Sequence, residues 1–265
     1  MADGATEVLA VRVGRRQTDT RSGKFYRYGI YGRPDGPLVM DFYFWIIRRG
    51  SSVVLFDTGY SQQALTRRGE APFRVAPLQA LRRLGIAPDD VSDVVISHFH
   101  WDHTGNIAHF PNARLTFQQA ELDFWTGPNG AKPTFVDTIE AHEVEYLARA
   151  QADGRVNLIS GDTELWPGIT ALHVGGHTPG QQMLRIERAG SRPVVLTSDA
   201  AHFYEEIDED RAFLIFSDLP DLYSTYARLR DLQTDGAALV AGHDPLVMDR
   251  FAPVPGAEEF AVLIE

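Results

Sequence analysis

A chain of 265 residues with 44% hydrophobic and 11% aromatic content can bury a large core, which excludes a disordered protein. Its formal net charge of −11 argues against nucleic acid or an anionic membrane surface as partner, since both are bound through excess Lys and Arg. It has no cysteine, so disulfides and thiolate metal ligands are excluded and only imidazole and oxygen donors remain.

The first seven residues lack the basic flank and apolar core of a signal peptide, and the apolar run 38–47 is too short for a bilayer and contains Asp41. A soluble cytoplasmic protein is therefore expected. In chain order, 8–13 and 25–30 read as strands, and 38–47 with 53–56 as a hairpin turning at Arg49-Gly50. Residues 77–84 have helical apolar spacing, with Pro77 at the start and Gly85 at the stop. Strands follow at 93–97 and 114–117, then a helix over 118–125, an irregular stretch over 127–137 and a helix over 140–152. Further strands are predicted at 156–159, 169–174, 183–186, 194–197 and 238–241, with a helix over 223–232 before the last. No repeat or linker interrupts this order, so 1–265 reads as one α/β domain with helices outside paired sheets.

The segment Ser97-His98-Phe99-His100-Trp101-Asp102-His103-Thr104-Gly105 directly follows the apolar run Val94-Val95-Ile96. The ordered pattern His-x-His-x-Asp-His arises by chance on the order of once per thousand chains of this composition. In an extended segment His98 and His100 point the same way and can grip one ion, while Asp102 and His103 lie where the chain must turn, with Gly105 permitting the change of direction. Four such groups converge poorly on one ion, which suggests two ions and further ligands from elsewhere. His177, Asp199 and His243 each follow an apolar strand, where a rigid scaffold places reactive groups. His109, His142 and His173 lack ligand-like neighbours and read as structural or surface residues.

Taken together, His98-x-His100-x-Asp102-His103, His177, Asp199 and His243 resemble the metal signature of the metallo-β-lactamase superfamily. Asp57-Thr58-Gly59 is similar to that family's early motif, whose Asp buttresses the site, and the resemblance runs from about 38 to 243. It implies an αββα four-layer sandwich, with two mixed sheets face to face, helices outside and the site at one edge. It also implies that His98, His100 and His177 bind one ion and Asp102, His103 and His243 a second, with Asp199 and a hydroxide bridging them. Such a site brings the pKa of bound water from 15.7 to roughly 7. Imidazole and carboxylate donors suit zinc best, with manganese, iron and cobalt compatible.

The bridging carboxylate and the absence of cysteine set the chain apart from the true β-lactamases of the superfamily, and His100 stands where the redox di-iron branch has Glu. The remaining groups are acyl-homoserine lactonases, glyoxalase-type thioesterases and organophosphate hydrolases. Trp101 inside the cluster, Phe110-Pro111-Asn112-Ala113-Arg114 and the stretch Gln119 to Trp125 are most similar to the lactonases. Those enzymes commonly carry Tyr three residues after the bridging Asp, where this chain has His202, with Tyr204 as a second candidate. The resemblance thus implies a dinuclear hydrolase that opens a lactone of the N-acyl homoserine type, with phosphotriester or thioester hydrolysis as alternatives on the same site. Asp102, Asp199 and His202 are its expected catalytic residues, and Trp101, Phe124, Trp125 and Tyr204 its expected substrate contacts. The expected partner is a small molecule, and a homodimer is compatible. A metal-stabilised sensor that turns nothing over is the non-enzymatic alternative.

Overall fold

The computed structural model describes residues 6–69 and 71–264. Its layering follows from strands that are apolar on both faces, which forces cover on each side. In the strand Pro37–Arg49, Phe42, Phe44 and Ile46 join one buried cluster while Tyr43, Trp45 and Ile47 join another. The strand Glu7–Thr20 divides likewise, Leu9 and Val11 against Val8 and Ala10. Strand side chains alternate, so each strand feeds two cores.

The strands are β1 (Glu7–Thr20), β2 (Pro37–Arg49), β3 (Ser52–Phe56), β4 (Val91–Val95), β5 (Arg114–Gln118) and β6 (Val156–Ile159), followed by β7 (Thr163–Trp166), β8 (Ile169–His173), β9 (Gln182–Ile186), β10 (Val194–Ser198), β11 (Ala238–Ala241), β12 (Ala252–Pro253) and β13 (Ala261–Leu263). Eight form one sheet in the order β12-β13-β1-β2-β3-β4-β5-β6, and five form a second in the order β11-β10-β9-β8-β7. Both sheets are mixed: β3 through β6 run parallel, as do β10 and β11, while the other pairs are antiparallel. Tyr43, Trp45 and Phe56 of the first sheet pack with Leu184, Leu196 and Val240 of the second. Leu81, Leu122 and Leu147, from the helices Pro77–Arg83, Gln119–Thr126 and Ala141–Ala152, cover the outer face of the first sheet. Leu222, Tyr226 and Leu229 of the helix Leu219–Thr234 cover the outer face of the second. Two sheets with helices outside give the expected four layers.

One expected strand is absent. Residues 28–31 form a 3-10 turn rather than extended chain, because Arg27 and Gly32 at its two ends are left-handed, with φ of 51° and 62°. The helix expected over 223–232 begins at Leu219, where the Asp218 side chain accepts the Asp221 N–H at 3.0 Å and Pro220 needs no donor. The stretch expected to be irregular contains the short helix Pro133–Val136. The helices Gln62–Arg68 and Tyr204–Glu209 and the strands β7, β12 and β13 were not anticipated. Among the described residues no helix is long and apolar enough to cross a membrane.

Glu143, buried on the helix Ala141–Ala152, makes one hydrogen bond, accepting from Thr104 Oγ1 at 2.6 Å, and its Oε1 has no partner. Burial pushes this carboxyl up from 4.5 to about 8. An acid raised in the fold binds its proton more tightly folded than unfolded, so its stabilisation is complete below 4.5 and is lost as pH rises through 8. Unfolding free energy is expected to fall across that window with a slope of up to about 1.4 kcal/mol per pH unit. Glu143→Gln should flatten the profile in urea titrations at several pH values; an unchanged slope contradicts this account.

Candidate metal centre

Asp57, Ser97, His177, Asp199 and His243 all lie just past the C-terminal ends of strands, namely β3, β4, β8, β10 and β11. Parallel β3 and β4 in one sheet, and parallel β10 and β11 in the other, bring these ends to a common edge. β4 stops at Val95, two residues earlier than expected, so His98 and His100 stand in the following loop. Their rings still meet, with centroids 4.5 Å apart. The helical turn Trp101–Thr104 then delivers Asp102 and His103. Gly105 has ordinary helical φ, and space is what requires a glycine there: a Cβ would sit 2.4 Å from Ser61 N.

The potential ligand atoms form two groups: His98, His100, His177 and Asp199 in one, Asp102, His103 and His243 in the other, all buried. Asp199 faces both. Its Oδ2 lies 3.3 Å from His177 Nε2 and 3.8 Å from His98 Nε2, while Oδ1 lies 3.2 Å from His103 Nε2 and 3.0 Å from His243 Nε2. Asp102 Oδ2 is 3.6 Å from both His103 Nε2 and His243 Nε2. The donors fit a pair of divalent cations. The Nε2 atoms of His98 and His103 are buried without a hydrogen-bond partner, a costly state that a metal ion relieves.

Outer partners fix the ring orientation. His103 Nδ1 donates to Asp57 Oδ2 at 2.7 Å, His177 Nδ1 to the Ile215 carbonyl at 2.9 Å and His243 Nδ1 to the Asp41 carbonyl at 2.7 Å. A proton held on Nδ1 leaves Nε2 as the ligating atom. Ser97 Oγ bonds Asp57 Oδ2 at 2.7 Å and His98 Nδ1 at 2.9 Å, and Ser198 Oγ bonds Ser97 Oγ at 2.8 Å. Asp57 and Ser198 both hold left-handed backbone, with φ of 63° and 47°, a strain that the surrounding bonds maintain. Glu121 staples two ligand loops, accepting from Phe99 N–H at 2.8 Å, Trp125 Nε1 at 2.6 Å, Thr178 Oγ1 at 2.8 Å and Gly180 N–H at 2.9 Å.

Burial holds His98 and His100 far below 6.5 and His177 down at about 3, so these rings are neutral and ready to ligate. Burial opposes a charge on His103 too, but Asp199, Asp102 and Asp57 outweigh it and hold its proton. A cation held at Nε2 would take that proton's place. His202 Nε2 lies 3.1 Å from Asp199 Oδ2, its Nδ1 lies 3.3 Å from Glu206 Oε1, and its ring stacks on Phe213 at 3.7 Å. Burial lowers its affinity for a proton, yet Asp199 and Glu206 push it up to about 9.

A cavity of about 160 Å³ opens onto the centre, lined by His100, Trp101, Asp102, His177, Asp199 and His202, with Phe42, Arg68, Phe213 and Ile215 among its walls. Of the aromatics expected at the substrate, Trp101 lines it. Trp125 packs edge-on against His100 at 5.7 Å, behind the ligand, and Phe124 packs on Trp125 and Phe135. Tyr204 turns away into the inter-sheet core, donating its hydroxyl to the Leu239 carbonyl at 3.2 Å. Ser97, Ser198, Glu121 and Glu206 escaped the sequence reading. Glu121 shares the stretch 119–125 with a second carboxylate, Asp123, so nothing local marked it out.

Residues 43–116 match the family model described as the metallo-β-lactamase superfamily. An N-acyl homoserine lactonase from Bacillus sp is 30% identical over 215 residues, covering 76% of this chain and 80% of that protein. The N-acyl homoserine lactonase AttM of Azorhizobium caulinodans is 31% identical over 180 residues, 66% of each chain. A solved quorum-quenching N-acyl homoserine lactone lactonase superposes with a TM-score of 0.74 at 23% identity, covering 96% of this chain and 99% of that one. The hydrolase AbOPH superposes at 0.72 with 19% identity, covering 100% and 95%. With the ligand set, the layered fold and this degree of likeness together, the chain belongs to the N-acyl homoserine lactonase family of the metallo-β-lactamase superfamily.

Proposed function

We propose that this protein is a cytoplasmic, dinuclear zinc hydrolase that opens the lactone ring of N-acyl homoserine lactones. The observation that carries the reading is Asp199, whose two oxygens face two separate groups of buried imidazoles at the floor of the cavity. Two divalent ions, when bound, supply a water ionised near neutral pH and polarise the carbonyl that it attacks. His98, His100 and His177 would hold one ion, Asp102, His103 and His243 the other, and Asp199 both. His202 stands at the cavity wall with Glu206 3.3 Å from its Nδ1, so a proton on its Nε2 would be placed for transfer to the departing ring oxygen. Phe42 and Trp101 line the cavity beside the centre. The half-exposed Ile215 and the buried Phe213 in the cavity wall offer apolar contact for an acyl chain.

Initial rates on N-hexanoyl homoserine lactone, a thioester and an aryl phosphotriester test the reading, for the wild type and for His202→Gln. The lactone should be turned over fastest, and the variant should lose about 10²-fold in kcat, the lower end of a general acid's usual contribution. Turnover of the phosphotriester alone would transfer the site to organophosphate hydrolysis, and no turnover of any substrate would favour a binding protein.

A further inference from the structure

Arg68 ends the helix Gln62–Arg68, and its side chain, only 8% exposed, lines the metal cavity beside Trp101 and Asp102. The guanidinium is immobilised on three sides. Nε donates to Glu140 Oε1 at 3.1 Å, and Nη2 donates to the Asp137 carbonyl at 2.7 Å and the Ile139 carbonyl at 3.2 Å. Its plane carbon lies 4.9 Å from the centre of the Trp101 ring. Glu140 is held in turn by Arg67, at 2.5 Å from Nη2. Five N–H donors radiate from a guanidinium, and those on Nε and Nη2 are engaged. The hydrogen bonds of Arg68 to described residues all leave from Nε and Nη2, and none from Nη1.

A fixed cation with two spare donors at the wall of a reaction cavity is a receptor for an acceptor oxygen on the substrate. On the reading above, the ring carbonyl and ring oxygen are engaged at the metal centre and by His202. The acceptor left over on an N-acyl homoserine lactone is the amide carbonyl. We propose that Arg68 Nη1 binds that carbonyl and makes the site selective for lactones bearing a carbonyl substituent over plain alkyl lactones. The proposal rests on the lactonase reading and adds the feature of the substrate that is read.

The test compares N-hexanoyl homoserine lactone with a γ-alkyl lactone of matched length that has no amide. For the wild type, kcat/KM should favour the amide lactone by roughly 10- to 100-fold, the range expected of one hydrogen bond to a charged donor. Arg68→Met keeps the contact with Trp101 and removes the donors. It should raise KM for the amide lactone by a similar factor and leave the alkyl lactone within about twofold, and Arg68→Lys should restore part of the difference. Equal losses on both substrates, or a wild type that does not distinguish them, overturn the proposal while leaving lactone hydrolysis intact. Turnover of neither lactone by the wild type overturns the lactonase reading and this proposal with it. If Arg68→Met fails to fold, Arg68→Lys carries the same comparison, and a wild type that does not distinguish the two lactones overturns the proposal by itself.

Discussion

Asp199→Ala is expected to reduce lactone turnover by more than the ~10- to 100-fold that follows loss of an outer partner of a metal ligand. It should also lower the metal content of the purified protein below two ions per chain. The reason is geometric. One oxygen of Asp199 stands 3.3 Å from His177 Nε2 and the other 3.0 Å from His243 Nε2, so its loss removes a shared negative ligand from both groups at once. The neighbouring imidazoles, which the carboxylate holds together, would then face one another without a counter-charge. The two sheets and their three apolar clusters do not depend on this side chain, so far-UV circular dichroism should be unchanged. Elemental analysis and initial rates on the same preparation decide the matter. A variant that keeps two ions and a substantial fraction of its activity would remove Asp199 from the bridging position.

Asp57→Asn should be nearly as damaging to metal retention, although Asp57 lies outside the ligand groups. Its Oδ2 accepts from His103 Nδ1 at 2.7 Å and from Ser97 Oγ at 2.7 Å, and its Oδ1 accepts the Ser97 N–H at 2.7 Å. An amide can satisfy the backbone N–H with its oxygen, but its NH2 then confronts a second donor at His103. The ring must move or shift its proton to Nε2, and a protonated Nε2 cannot ligate. Asparagine also tolerates the left-handed φ of 63°, so the backbone is not the cause of any loss. Metal affinity and kcat/KM are expected to fall by about 10- to 100-fold with little change in Tm, read by competition with a chelator and by steady-state kinetics. A fall in Tm without a change in affinity would make Asp57 a structural residue only.

Ligand chemistry resides in residue type, so the clustered His and Asp side chains were legible in the linear chain, as were strands with an apolar residue at every position. The strand ends that carry His177, Asp199 and His243 could be anticipated for the same reason: each motif follows its own apolar run. The 3-10 turn at 28–31 was hidden because a non-glycine residue, Arg27, adopts the left-handed conformation, against its local preference.

The supporting shell was beyond reach for a different reason. Ser97 meets Ser198 across 101 positions, Asp57 meets His103 across 46, and Glu121 meets Gly180 across 59. A serine or glutamate acquires such a role only when folding removes water and leaves a single partner in range. The same holds for Tyr204, whose hydroxyl turned to a strand carbonyl in the core, and for Arg68, which reached the cavity wall. Which atoms can bind a metal is a property of individual side chains. Which atoms surround those ligands and face the substrate depends on contacts between segments far apart in the chain.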